Sequence, residues 1–161
     1  MKILVADTGA LISLIHINQL ILLDNLFGGF YLPFAVWVEL NNYDNPLFDR
    51  TQLYDLHSRI LQVDSKTQAV PLMDYGESES VILYKQLGAD FLLIDDQRAR
   101  EIAESLNINC IGTLGILIKA KKEGLLSALK PLFQQLVSVG RYYSKSILNQ
   151  ALVLAGEEPM E

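Results

Sequence analysis

The sequence has 161 residues, a formal net charge of −6 and a hydrophobic content of 50%. This length is typical of one domain, and the apolar fraction is sufficient for one sizeable core. The acidic balance argues against nucleic-acid binding through a broad basic surface, although carboxylates that hold a divalent metal would add to the same negative charge. The sequence shows neither a membrane-spanning apolar run nor a signal-like N-terminal segment, so we expect a cytoplasmic protein.

The first predicted element is an apolar strand that ends in an acid. Residues 2–6 are mostly apolar, and Asp7, Thr8 and Gly9 separate them from a helical pattern over residues 10–15. A short apolar run bounded by a turn signal is typical of a strand buried on both faces of a parallel sheet. Because ligand sites in open α/β sheets lie beyond the carboxyl ends of strands, Asp7 is a candidate site residue. Capping of the next helix by Asp7 or Thr8 is an equally good explanation.

The rest of the chain alternates between strand and helix patterns. Further strands are predicted over residues 30–33, 60–63, 91–94 and 108–111. Further helices are predicted over residues 18–27, 34–41, 47–58, 76–87, 97–106, 114–122, 126–137 and 144–155. Strands that alternate with helices predict an α/β fold in which a mainly parallel sheet is covered on both faces, a three-layer α/β/α arrangement.

Acidic residues recur where the predicted strands end. Asp95 and Asp96 follow the fourth predicted strand as Asp7 follows the first, so we expect all three at one edge of the sheet. Glu39, near the end of the third predicted helix, and Glu77, in the first turn of a later one, would join them if their side chains turn inward. Helix capping and solvated helix faces remain the alternative explanations for each acid.

Five short motifs, taken in this order, resemble the PIN-domain family. They are residues 7–12 (DTGALI), 36–40 (VWVEL), 76–79 (GESE), 92–96 (LLIDD) and 112–115 (GTLG). The resemblance extends over about residues 2–143 and looks closest to short stand-alone PIN-like proteins. It implies a PIN-like nuclease domain over residues 1–143, with a C-terminal helix and tail over residues 144–161 packed on the same domain.

The resemblance also implies which residues form the site. Asp7 matches the acid that ends the first strand of the family, and Glu39 matches the glutamate on an early helix. Glu77 stands where the family usually has an aspartate at a helix start, so it matches in charge and role. Glu79 is a weaker substitute for the same position.

The last acid of the family follows the fourth strand after one intervening residue. This spacing selects Asp96, with Asp95 as the competing ligand, and Ile94 stands where a threonine is common. We therefore expect a catalytic set and a slightly larger metal-binding set that adds the competing acid. The catalytic set is Asp7, Glu39, Glu77 and Asp96, and the metal-binding set is Asp7, Glu39, Glu77, Asp95 and Asp96.

Carboxylate oxygens are the ligands that the hard cations Mg²⁺ and Mn²⁺ prefer. One or two such ions would polarise a phosphodiester, activate water for attack and stabilise the leaving oxygen. Weaker candidates for contacts with the substrate are Thr8, Arg98, Arg100 and Thr113. Tyr142 and Tyr143 are candidates either for stacking on bases or for helix packing.

The resemblance implies a metal-dependent endoribonuclease that hydrolyses RNA, the toxin of a toxin–antitoxin pair. The expected partners are the RNA substrate, a small antitoxin protein and a second copy in a homodimer, with no membrane association. The alternative is a catalytically inactive PIN-like module or a receiver-like, magnesium-binding regulatory module. A receiver needs an acceptor aspartate after a middle strand and a lysine after a later one. Asp64 follows a plausible strand, but Thr113 stands at the later position with no lysine beside it.

Overall fold

The central sheet contains five parallel strands in the computed structural model, which describes residues 1–64, 70–141 and 143–161. The strands are β1 (Ile3–Ala6), β2 (Gly29–Pro33), β3 (Ile60–Leu61), β4 (Phe91–Leu93) and β5 (Cys110–Ile111). Their spatial order is β3-β2-β1-β4-β5. The middle strand β1 pairs Val5 with Tyr31 of β2 and with Leu92 of β4. The prediction of a parallel sheet within an α/β fold is confirmed.

Eight α-helices surround the sheet in the part of the chain that the structure describes. They are α1 (Thr8–His16), α2 (Ile21–Leu26), α3 (Phe34–Asn42), α4 (Tyr75–Leu87), α5 (Gln97–Ser105), α6 (Thr113–Lys122), α7 (Lys130–Ser138) and α8 (Lys145–Leu154). Two helices begin later than the sequence pattern predicts. Asn18 has a positive φ of 55°, which lies outside the right-handed helical region. Residue 18 is therefore not helical, and α2 begins at Ile21. Pro131 lies in the first turn of α7, a position that proline favours.

Residues 47–58, predicted as an α-helix, differ from that prediction. The structure has a 3₁₀ helix at Arg50–Arg59. Its buried side chains are Leu53 and Leu56, which are three residues apart. That spacing matches the three-residue turn of a 3₁₀ helix, so one narrow face contacts the core.

Helices cover both faces of the sheet, as the three-layer prediction requires. Leu4 and Ala6 of β1 belong to a large apolar cluster that includes buried residues of α1, α2, α3, α6, α7 and α8. Val5, between them, belongs to a smaller cluster formed with α4 and α5. Alternate residues of the middle strand thus enter opposite cores. Leu148 and Leu152 of α8 are buried in the large cluster, which joins the C-terminal helix to it.

The parallel sheet brings several helix starts to its carboxyl edge. α1 follows β1, α3 follows β2, α5 follows β4 and α6 follows β5. The Asp7 amide donates to the Leu93 carbonyl at 2.9 Å, so the ends of β1 and β4 are directly connected. α3 also packs against α4. Among the described residues, no helix combines the length and apolar character needed to cross a membrane.

Candidate active site

Asp7 lies at the end of the middle strand, and its side chain is only 7% exposed. It occupies the N-cap position of α1 without a capping bond of the usual kind in the described structure, although the adjacent Thr8 amide bonds its carboxylate. Oδ1 also accepts a hydrogen bond of 3.2 Å from the Ser80 hydroxyl on α4. Burial raises the pKa of Asp7 to about 7, and neighbouring carboxylates contribute in the same direction. The structure therefore holds a poorly solvated acid at the centre of the sheet edge.

Glu39, on α3, is partly buried and is held by two donors. The Thr8 hydroxyl donates to Oε2, and the Gly76 amide also bonds the carboxylate. A Cβ at position 76 would lie 2.8 Å from Cδ of Glu39, so only glycine allows this close approach. Burial raises the pKa of Glu39, while its bonds to Thr8 and Gly76 oppose the shift.

Glu77, in the first turn of α4, forms a capping box with Asp74. The Glu77 amide donates to Asp74 Oδ1 at 2.8 Å, and the Asp74 amide donates to Glu77 Oε2 at 3.2 Å. Burial raises the pKa of Glu77 to about 7, and the charges of Asp74 and Asp96 also raise it. Our prediction did not include Asp74 at the site. An acid three residues before a glutamate is a local capping-box pattern that could have indicated it.

Electrostatic interactions connect these acids into one cluster. Glu39, Glu77 and Asp74 all raise the pKa of Asp7, and Asp96 raises that of Glu77. None of the four ion pairs formed by the described residues includes a member of this cluster. Because like charges that share a site disfavour ionisation, the fully ionised cluster is unfavourable, and either a proton or a cation would relieve the repulsion.

The two acids after β4 bond mainly to backbone amides and hydroxyls. Asp96 is exposed and caps α5 through a bond of 2.8 Å from the Ala99 amide. Asp95 accepts from the Thr113 amide and the Thr113 hydroxyl, both at 2.7 Å, and from the Tyr143 hydroxyl at 2.6 Å. Both oxygens of Asp95 are thus occupied by protein donors, whereas Asp96 retains an oxygen towards solvent.

Glu79, the weaker substitute for Glu77, has a structural role. Its side chain is buried, and Oε2 accepts from the Ala35 amide at 2.9 Å. Ala35 is in the first turn of α3, whose N-cap residue Pro33 makes no side-chain capping bond in the described chain. Glu79 therefore supplies from α4 the cap that α3 lacks.

The remaining predicted substrate contacts occupy different environments. Thr8 and Thr113 are buried, each bonded to an acid as described above. Arg98 is exposed on α5, and Arg100 forms an ion pair of 3.1 Å with Glu104 one turn later. Tyr142 lies outside the described residues.

The fit of a divalent ion to these residues depends on how many protein ligands the ion needs. Among the described residues, no group of three or more His, Cys, Asp or Glu side chains is arranged to hold a metal. Mg²⁺, however, keeps several waters and is typically bound through one or two carboxylates plus substrate phosphate. A buried carboxylate without a basic partner, beside further acids, fits such a hydrated ion in chemistry and in charge.

One of three comparisons with known proteins identifies a family. A family model described as a PIN domain matches residues 3–157. No match was found among curated proteins or among solved structures. PIN domains are in general nucleases that act on nucleic acid and use divalent metal ions. Because the match covers nearly the whole chain, the chain belongs to the PIN-domain family.

Proposed function

We propose that the chain is a metal-dependent endoribonuclease that hydrolyses RNA phosphodiester bonds with Mg²⁺ or Mn²⁺. The observation that carries this proposal is the buried Asp7 carboxylate, with its pKa raised to about 7 beside Glu39 and Glu77. Desolvated carboxylates without a positive partner reduce stability. A function that requires a cation at this edge explains why the fold keeps them together.

The proposed roles follow from the contacts of each residue. Asp7 and Glu39 hold the ion, and Thr8 fixes the Glu39 carboxylate through its hydroxyl. A bound divalent ion supplies Lewis acidity towards the phosphodiester and offsets the negative charge of the substrate. Glu77 and Asp96 extend the acid cluster and complete the catalytic set that we propose. Asp95 is the less suitable ligand, because both of its oxygens already accept protein hydrogen bonds.

The biological role that we propose is the toxin of a toxin–antitoxin pair in the cytoplasm. It is supported by the resemblance to short stand-alone PIN-like proteins. The partner would be a small antitoxin that covers the acid cluster, and the active assembly would be a homodimer. An antitoxin that works in this way must block metal-dependent cleavage when it is added in equimolar amount.

The test is cleavage of a defined RNA panel with Mg²⁺ or Mn²⁺, comparing the wild type with Asp7→Asn. The matched control is Asp55→Asn, which removes the same charge from an exposed residue of the 3₁₀ helix. We expect the Asp7 variant to lose at least about 100-fold in rate, about 2.7 kcal/mol of transition-state stabilisation. The control should cleave like the wild type.

Two other outcomes have defined meanings. Cleavage that survives Asp7→Asn would come from a contaminant or another site, and would contradict the proposal. Metal binding without cleavage by the wild type would favour the inactive, magnesium-binding PIN-like module instead.

A further inference from the structure

A groove adjoins the acid cluster on the side of the C-terminal segment. It has a volume of about 420 Å³, and its lining includes Gly9, Asp96, Arg141, Tyr143, Ser144 and Ile147. Gly9 lies in the first turn of α1, two residues after Asp7, and Asp96 belongs to the cluster itself. The groove therefore lies next to the proposed metal site.

Arg141 is the basic residue in this lining. Its Nε donates to the Ser13 hydroxyl and its Nη2 donates to the Gly9 carbonyl, both at 3.0 Å. Both acceptors are neutral, and none of the four ion pairs among the described residues includes Arg141. A guanidinium has five N–H donors, so the side chain keeps donors for an anionic ligand.

The guanidinium is held in a fixed orientation. Ser13, which accepts from Arg141, also shares a hydrogen bond of 2.9 Å with the Tyr143 hydroxyl. That hydroxyl bonds Asp95 at 2.6 Å, which connects the segment after Arg141 to the end of β4. Because the orientation is set before a ligand arrives, less side-chain entropy is lost on binding.

Neither acid in the groove wall forms an ion pair with Arg141 among the described residues. Asp95 is occupied by Thr113 and Tyr143, and Asp96 accepts from the Ala99 amide. The site therefore offers a positively charged fork beside a cation-binding edge. A nucleic-acid backbone, whose phosphates repeat along the strand, matches this arrangement of charges.

We propose that Arg141 and this groove bind the backbone phosphate next to the scissile bond of a single-stranded RNA. The inference rests on the proposed function, because it places the second phosphate relative to the metal site. Arginine binds phosphate through two parallel N–H donors, which gives direction as well as charge. Arg141 would thus set the register of the RNA strand on the acid cluster.

The test measures RNA binding rather than cleavage. Fluorescein-labelled single-stranded RNA is titrated in EDTA, and anisotropy gives the affinity over a series of salt concentrations. Arg141→Gln should weaken binding several-fold at low salt. It should also make the slope of log K against log[salt] less negative by about 0.7, the contribution of one phosphate contact in a single strand. Arg141→Lys should restore the slope but only part of the affinity, because it keeps the charge and loses the fork.

A second variant avoids the contacts that Arg141 makes within the fold. Ser144 is exposed in the groove and caps α8 by accepting from the Ile147 amide at 3.1 Å. Ser144→Asp keeps a good N-cap and adds a negative charge to the groove, so we expect weaker RNA binding at unchanged melting temperature. The matched control is Lys85→Gln, which changes the net charge equally. Lys85 is exposed near the C-terminus of α4, which leads back towards the opposite edge of the sheet.

Equal weakening by the groove variants and by Lys85→Gln would overturn the groove proposal, as would a wild-type protein that does not bind this RNA. The metal-dependent cleavage test with Asp7→Asn decides the nuclease proposal separately. Cleavage that depends on Asp7, together with an unchanged salt slope in Arg141→Gln, would contradict the groove proposal and leave the nuclease proposal intact.

Discussion

At the ends of the neighbouring strands β1 and β4, acidic residues follow the strand and a helix follows the acids. The acids at the two ends differ in burial and in the hydrogen bonds that they accept. Asp7, after β1, is 7% exposed, and its carboxylate bonds the adjacent Thr8 amide and accepts a hydrogen bond of 3.2 Å from Ser80. Asp95, after β4, accepts three hydrogen bonds of 2.6–2.7 Å. A carboxylate with well-matched donors stabilises the fold, whereas a buried one with few donors is available for a cation. Under our proposal, Asp95 is therefore an acid that stabilises the fold and Asp7 an acid that binds the ion.

Asp7→Asn should produce the largest change in stability. The pKa of this acid is about 7 in the folded protein against an ordinary value of 3.8. The folded state thus retains a proton that the unfolded state loses, and stability falls as pH rises from about 4 to about 7, by on the order of 4 kcal/mol. The asparagine variant should lack the Asp7 part of this decrease, keep the part that comes from Glu39 and Glu77, and be more stable than the wild type at pH 8. Urea denaturation in EDTA over a pH series measures both. A variant that is less stable at every pH would make Asp7 a structural cap.

Asp95→Ala should change stability in the opposite direction. It leaves the Thr113 amide, the Thr113 hydroxyl and the Tyr143 hydroxyl without their acceptor, and Thr113 is fully buried. We expect the free energy of unfolding to fall by about 3 kcal/mol. Tyr143→Phe removes only one of the three donors and should cost about 1 kcal/mol. Urea denaturation of both variants at pH 7 provides the measurement. Wild-type stability in Asp95→Ala would contradict the structural role assigned to this acid.

Metal binding should distinguish the same two acids by thermal unfolding. An ion that binds only the folded state stabilises it by about 1.4 kcal/mol at ten times its dissociation constant. Mg²⁺ or Mn²⁺ should therefore raise the melting temperature of the wild type and of Asp95→Ala, but much less that of Asp7→Asn. Potassium chloride of equal ionic strength is the control. Equal responses in all three proteins would place the ion elsewhere.

The sequence predicts the strands well because each is a short apolar run, and the parallel arrangement places Asp7, Asp95 and Asp96 at one edge. The sequence does not predict which acid has its oxygens occupied by hydrogen-bond donors, since the donors come from distant parts of the chain. Tyr143 bonds an acid 48 residues away, and Arg141 reaches Ser13 across 128 residues. Such pairings depend on tertiary packing, which no local pattern encodes.

Glu79 shows the same limit of prediction from sequence, here for an acid with a structural role. It lies within the motif that carries the resemblance, yet its carboxylate caps α3 from 44 residues away. Asp74 is different, because its partner Glu77 is three residues on and the capping box is a local pattern. Local sequence thus identifies a cap within one helix, but not a cap that one helix supplies to another.

Asp96 combines a structural role, as the cap of α5, with its proposed catalytic role. Two substitutions separate these roles, and they are expected to change stability least. Asp96→Ala removes the bond of 2.8 Å to the Ala99 amide and should cost about 1 kcal/mol, whereas serine is itself a good N-cap and should cost little. Both variants lack the carboxylate, so both should lose RNA cleavage to the same extent while differing in melting temperature. If cleavage instead follows stability, with Asp96→Ser as active as the wild type, Asp96 is only the cap of α5. The catalytic set would then consist of the acids of β1, α3 and α4, and β4 would contribute structure alone.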